Sequence, residues 1–293
     1  MRVTHRMMTE NAIQNMEDSL QRLYTLQQKA STMKNIQRAS DDPSTASTVL
    51  TLRSTVEINK SYISTTQLSD DWMSATNTAL EQMLDVAKRA VQLAQTGMAD
   101  TQGADERQAL ADEMGSLLQQ AVDIGNTSHL GNYIFAGFST TTIPFTLNSD
   151  SSVTYNGDTG VMLRQIGPSQ TISQNIIGNT YFSDLFENIV IARDALNSND
   201  SEAIQNALGG LESALELVNQ SVTLNGTRQR QVKLTQERLE NTQTDLDALL
   251  SEKEDVSMIE VAALLSNQET VYQAVLEVSN RAISALSLFD MLS

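Results

Sequence analysis

The chain has 293 residues, with 36 acidic against 19 basic side chains, a net charge of −17, no cysteine and only 4% aromatic residues. That charge has the wrong sign for the counterion release that drives binding to nucleic acid or anionic lipid, and without a thiol there is no disulfide, thiolate nucleophile or zinc–thiolate site. No apolar run reaches the roughly 18 residues of a membrane span, and the first segment, "MRVTHRMMTENAIQNMEDSL", lacks the apolar stretch of a secretory signal.

Ala, Leu, Gln, Ser, Thr, Asn and Glu dominate what remains, the palette of long helices packed along narrow seams. The expected fold is mainly α, an elongated antiparallel helical bundle. Within residues 1–38, Ile13, Met16, Leu20, Leu23 and Ala30 stand at helical spacing with Val3 and Met7 ahead of them. "RASDDPSTAS" follows at 38–47. Here Asp42 is placed to cap a helix whose first position is Pro43, the one helical site where a missing N–H costs nothing. Ser40, Asp41, Asp42 and Pro43 therefore read as a hinge. The Asp41–Asp42 pair could in principle hold a metal, but capping accounts for it.

The helix begun at Pro43 keeps a heptad through Trp72, Thr76, Ala79, Met83, Val86, Ala90 and Leu93 until "TGMADTQG" breaks it, and another follows with Leu110, Met114, Leu117, Ala121 and Ile124. From Gly131 to about Phe182 the composition changes: seven of the thirteen aromatics, six of the thirteen glycines and two of the three prolines lie there, with only three charges. This reads as a small β-rich insertion, with a hairpin turning at Asn156–Gly157. Leu211, Leu215, Val218, Val222, Val232, Leu239, Leu246 and Leu250 then share one heptad register. The last segment repeats Val271, Val275, Val278, Ala282, Ala285, Phe289 and Leu292 at spacings of 4 and 3. Residues 1–38 carry a net +3 and residues 256–293 a net −3, so the two ends are electrostatically suited to each other.

Chemistry is scarce. The two histidines, His5 and His129, have no second ligand at metal spacing, and no phosphate-binding glycine loop or nucleophile elbow is present. The expectation is a non-enzyme with no cofactor, no metal, no nucleic-acid partner and no membrane partner. Stripes in the middle of the chain are explained as intramolecular bundle core. Those of the terminal helices are too broad for two helices to cover, which calls for copies of themselves. The assembly surface is accordingly placed at Val3, Ile13, Met16, Leu20 and Leu23, with Val271, Val275, Val278, Ala282, Phe289 and Leu292.

Four stretches carry a family likeness: "QKASTMKNIQRASDDPSTAS" (28–47), "ERQALADEMGSLLQQAVDIGNTSHLGNYIFAGF" (106–138), "LNGTRQRQVKLTQERLENTQTDLDALLSEKEDVSMIEVAALL" (224–265) and "LSLFDML" near the end. The sequence resembles the flagellin family. Within that family it is more similar to the hook-associated junction proteins than to the filament subunits, through "GNYIFAGF", the proline of "SDDPSTA" and "LLSNQETVYQAVLEVSNRAI". It departs at "STMKNI", where the family usually has a glycine, which predicts a helix running more continuously to the hinge.

The resemblance implies a division into paired terminal helices (1–39 plus 256–293), a helical rod (40–130 plus 183–255) and the β insertion (131–182). It implies a structural role joining hook to filament, in a ring of identical subunits. Expected partners are a hook-associated protein on one side, flagellin on the other, and an export chaperone on the carboxyl-terminal region. Export through the flagellar type III apparatus, without a cleaved signal, would place the protein outside the cell in the flagellum. A minor flagellin is the alternative. A secreted membrane-acting protein is a further one, disfavoured by the acidic carboxyl-terminal helix.

Overall fold

The computed structural model describes residues 5–36, 38–99 and 103–290, without the side chains of His5, Arg6, Met8 and 282–290. Six helices, α1 (His5–Thr32), α2 (Pro43–Gly97), α3 (Ala104–Gly125), α4 (Gly178–Asn197), α5 (Ser201–Glu254) and α6 (Met258–Asp290), carry most of the chain. Between α3 and α4 lie six short strands: β1 (Ser128–His129), β2 (Asn132–Tyr133), β3 (Phe145–Leu147), β4 (Val153–Tyr155), β5 (Leu163–Gly167) and β6 (Gln170–Ser173). They form three separate antiparallel pairs, β1–β2, β3–β4 and β5–β6. The fold is mainly α with a small β region. Two compact units are present, 1–58 with 242–293, and 59–241.

The hairpin expected to turn at Asn156–Gly157 is not there. β4 ends at Tyr155 and pairs backwards with β3, while β5 pairs forwards with β6. Asn156–Gly157 instead begins a turn organised by Asp158. Its Oδ1 accepts the N–H groups of Phe138 at 2.8 Å and Gly160 at 2.7 Å, and its Oδ2 the Ser139 hydroxyl. These backbone N–H groups, with Phe138 foremost, hold the Asp158 carboxyl below its ordinary value. A carboxylate collecting donors from two loops outcompetes a two-residue turn signal.

Four phenylalanines from the insertion and the start of α4 form one knot. Phe135, Phe145, Phe182 and Phe186 are all buried, with Phe135 and Phe182 edge to face at 4.8 Å and Phe145 and Phe186 at 5.0 Å. Asn126, at the end of α3, clasps Phe145 from both sides: its amide accepts the Phe145 N–H at 2.9 Å and donates to the Phe145 carbonyl at 2.8 Å. Burial pushes the Tyr155 hydroxyl up to about 12, with the Asp158 charge adding to it, so it serves as a neutral donor to the Phe135 and Asp158 carbonyls.

Within the unit 59–241, α2 and α5 run antiparallel along a narrow seam containing Thr66, Ser69, Thr76, Ser221 and Thr235. Two buried asparagines set its register: Asn59 donates to the Leu239 carbonyl and Asn225 to the Met73 carbonyl, each at 2.9 Å. Moving fourteen residues along α2 moves fourteen back along α5, two heptads in one register. At the far end, buried Arg107 donates to the Gly97 carbonyl at 2.9 Å and to the Asn199 side chain, so one guanidinium closes the end of α2 against the α4–α5 turn.

The knot leaves no room at Gly178, where an added Cβ would stand 2.8 Å from the Phe145 ring and 3.0 Å from Phe135 Cβ. At Gly226 in α5 a Cβ would meet nothing within 4 Å. Urea denaturation should show opposite signs: Gly178→Ala losing about 1–3 kcal/mol by overpacking, Gly226→Ala gaining about 0.5–1 kcal/mol of helix propensity.

Candidate assembly interface

α1 and α6 pair with each other, and their union is antiparallel: Lys34 bridges Asp255 just beyond their inner ends, and Gln268 reaches Ser19 further along both. The most buried positions of the two helices include small polar groups as well as Val261. Ser19 and Ser279 are buried, and the Gln268 amide donates to the Ser19 hydroxyl at 3.1 Å and its carbonyl at 3.3 Å. Hydroxyl-sized side chains allow close approach of the backbones but withdraw little apolar area from water.

The apolar positions divide accordingly. Met16, Leu23 and Val275 are half-buried along the seam. Ile13, Leu20 and Val271 face outward at 46%, 48% and 43% exposure, and Val278 at 66%. Met7, Tyr24, Ile259 and Leu264 add to the exposed face. Beside the seam runs a groove of about 570 Å³, lined by Ala12, Asn15, Val271, Ala274, Val275 and Val278 among others. Apolar side chains exposed in such a row have no cover among the described residues. Val3 and Leu292 lie outside the described residues, as do the side chains of Ala282 and Phe289.

The α1–α2 linker contains Ser40 to Pro43, the residues expected to form a hinge. α1 stops at Thr32 rather than running on to the hinge, because Met33 takes a left-handed backbone, φ +57°. Met33 stands where a glycine would adopt that angle freely. Two backbone hydrogen bonds compensate: Val256 N–H to the Met33 carbonyl at 3.1 Å and Asn35 N–H to the Glu254 carbonyl at 2.7 Å. Asp42 caps α2, its Oδ1 accepting the amides of Ser44 at 3.0 Å and Thr45 at 3.2 Å. Thr45, through its hydroxyl and then its amide, pulls the Asp42 carboxyl down to about 2, with Ser44 assisting. Asp41 accepts the Arg38 N–H at 2.9 Å, closing the turn before the cap. Pro43 is the first residue of α2, and Ser40 lies in the turn.

One cluster had no signature in the sequence. Glu254, at the end of α5 and 2% exposed, is held by the Arg53 guanidinium, whose Nε approaches at 3.2 Å and whose terminal nitrogen also bonds it. Lys34 joins Glu254 at 2.9 Å and Asp255 at 2.6 Å. The Arg53 hydrogen bond first, then Lys34, draws the Glu254 carboxyl below its ordinary value, while Asp255 and then Glu254 raise Lys34. Arg53 and Glu254 lie 201 residues apart, so no local pattern could have paired them. Among the described residues no group of three or more His, Cys, Asp or Glu side chains could hold a metal, and no helix is long and apolar enough to cross a membrane. His129 sits in β1 with its ring edge-on to Trp72, 6.1 Å between centroids.

The profile of the bacterial flagellin N-terminal helical region matches residues 3–140. Flagellar hook-associated protein 3 of Escherichia coli is 26% identical over 216 residues, 73% of this chain and 66% of that protein. The Salmonella typhimurium protein of the same name is 24% identical over 219 residues, 74% of this chain and 68% of that one. Residues 3–140, just under half of the chain, are thus similar to the flagellin family. A solved structure described as a putative flagellar hook-associated protein from Vibrio parahaemolyticus shares the fold, with a TM-score of 0.68 over 73% of this chain and all of that one, at 16% identity.

Glu254→Gln keeps the shape and removes the charge that Arg53 and Lys34 surround. Hydrogen exchange at the Asn35 and Val256 amides should quicken by roughly 5- to 150-fold, equivalent to about 1–3 kcal/mol. Because the folded carboxyl titrates below its ordinary value of 4.5, the native chain's advantage over the variant is complete above that value. It disappears as pH falls through the lower folded value.

Proposed function

We propose that this chain is a non-catalytic structural protein of the bacterial flagellum that joins the hook to the filament. The observation that carries the reading is the unpartnered apolar face of the paired α1 and α6 helices, Ile13, Leu20, Val271 and Val278, in a chain similar to two proteins named flagellar hook-associated protein 3. A two-helix pair with a polar seam and an apolar exterior has its binding surface on the outside. Identical subunits arranged in a ring would cover that exterior laterally, and neighbours on the hook and filament sides would cover it axially. Val3, Ala282, Phe289 and Leu292 extend the same two stripes in the sequence and belong to the proposed surface.

In this reading Met16, Leu23 and Val275 hold α1 to α6, and the four exposed positions hold one subunit to the next. The capped turn from Ser40 to Pro43 fixes where α2 starts relative to the linker. Family likeness further supports export through the flagellar type III apparatus to the cell exterior, with a chaperone covering the α6 stripe until assembly.

Val278→Asp puts a charge at the most exposed of the four positions without touching the seam. In a flagellated host lacking its own copy, the variant should fold with unchanged helical content by circular dichroism and fail to retain filaments on hooks. Filaments attached at the native frequency would reject the assignment of this face.

A further inference from the structure

The chain contains two Asn–Gly pairs, Asn156–Gly157 in the insertion and Asn225–Gly226 within α5. An asparagine reacts most readily with its own backbone when glycine follows it, because no Cβ then obstructs closure of the ring between side chain and main chain. The two pairs differ in every respect that controls this reaction.

Asn156 lies just beyond β4 and is exposed. Its side chain is held by a single hydrogen bond, from Nδ2 to the Thr146 hydroxyl at 2.9 Å. Among the described residues the Gly157 N–H has no hydrogen-bond partner, so the nitrogen that must attack is not engaged. Asn225 is 1% exposed, and its Nδ2 donates to the Met73 carbonyl at 2.9 Å. It stands well inside α5, whose own hydrogen-bond ladder takes up the Gly226 N–H. Ring closure at Asn225 requires the helix to open first.

We propose that Asn156 is a site of spontaneous modification, converted through a succinimide to isoaspartate and aspartate, while Asn225 is spared. The Gly157 nitrogen loses its proton to solvent and bonds to Cγ of Asn156. The Cγ–Nδ2 bond breaks, and the side-chain nitrogen leaves as ammonia. Water then adds to one of the two ring carbonyls and breaks its bond to the Gly157 nitrogen, which regains a proton. Opening at Cγ gives aspartate on the original backbone, and opening at the main-chain carbonyl gives isoaspartate, with the chain now running through Cγ. Water is the only reactant consumed and no enzyme is needed, so the modified fraction grows with the age of the molecule.

Isoaspartate lengthens the main chain by a methylene at a point that is fixed on both sides. The Asn156 N–H donates to the Pro144 carbonyl at 2.7 Å, and the Asp158 N–H to the Ala136 carbonyl at 3.1 Å. Extra chain between these bonds displaces Asp158, and a new carboxylate arrives two residues from the one that binds the Phe138 and Gly160 N–H groups. Modification therefore loosens the turn that Asp158 organises.

The test incubates the full-length protein at neutral to mildly alkaline pH. Peptides holding residues 156 and 225 are followed by mass and by methylation with an isoaspartate methyltransferase, which labels only the isomerised product. Residue 156 should be converted at least about a hundredfold faster than residue 225, because conversion of the latter waits on local opening of a buried helix, and its rate should rise with pH. Equal rates at the two positions, or no conversion at 156, would overturn the proposal. Hydrogen exchange at the Phe138 and Gly160 amides should be faster in aged than in fresh protein. Asn156→Gln, whose longer side chain closes a ring far less readily, should show neither the conversion nor the faster exchange. Equally quickened exchange in the aged variant would overturn the link between ring formation and the turn.

Discussion

A single buried carboxylate governs the terminal unit. Glu254 ends α5 at the point where the chain must turn into α6, and the same point is where the linker from α1 passes on its way to α2. Arg53 and Lys34 close on Glu254 from two other segments, and Asp255 adds the antiparallel bridge to Lys34. Removing Arg53 or Lys34 leaves the buried Glu254 carboxylate short of a partner, whereas the cations themselves reach solvent. The pairing of α1 with α6 starts at this joint, so the direction of their shared exterior is set by ionic groups that lie outside the exterior itself.

The unit 59–241 solves a different problem. Its α2–α5 seam carries small polar groups at Thr66, Ser69, Thr76, Ser221 and Thr235, and two buried asparagines add directional bonds that fix its register. The insertion does the opposite, gathering aromatics into a small volume and bracing them with Asn126 and Asp158. Arg107 ties helix ends across the sequence in the same way that Glu254 does. Long helices fix positions along their own axes, while single polar side chains fix how their ends meet.

Periodicity exposed the helices because burial along a seam repeats every 3.5 residues, and the Asp42–Pro43 cap was legible because capping is local in sequence. The β-rich character of 131–182 was readable from composition. Its pairing was not: Asn156–Gly157 gives the right local signal, but Asp158 draws donors from Phe138 and Gly160, and no window of sequence contains that competition. Likewise the missing glycine in "STMKNI" suggested an unbroken helix, whereas backbone bonds to residues 254 and 256 hold Met33 in a left-handed turn. Of the surface positions named from the stripes, Met16, Leu23 and Val275 are seam residues as well. A heptad records that a position is covered, without recording whether the cover comes from the same chain.

The serine-lined seam between α1 and α6 bears on how assembly is timed. In the proposed ring, two helices whose most buried shared positions include serines would present no finished surface to a passing copy. A subunit arriving at an existing end would meet neighbours that cover the outer stripes while the inner seam closes, so that ordering and addition would be one event. On that reading the inner contact would act as a nucleation barrier, confining growth to an end already built.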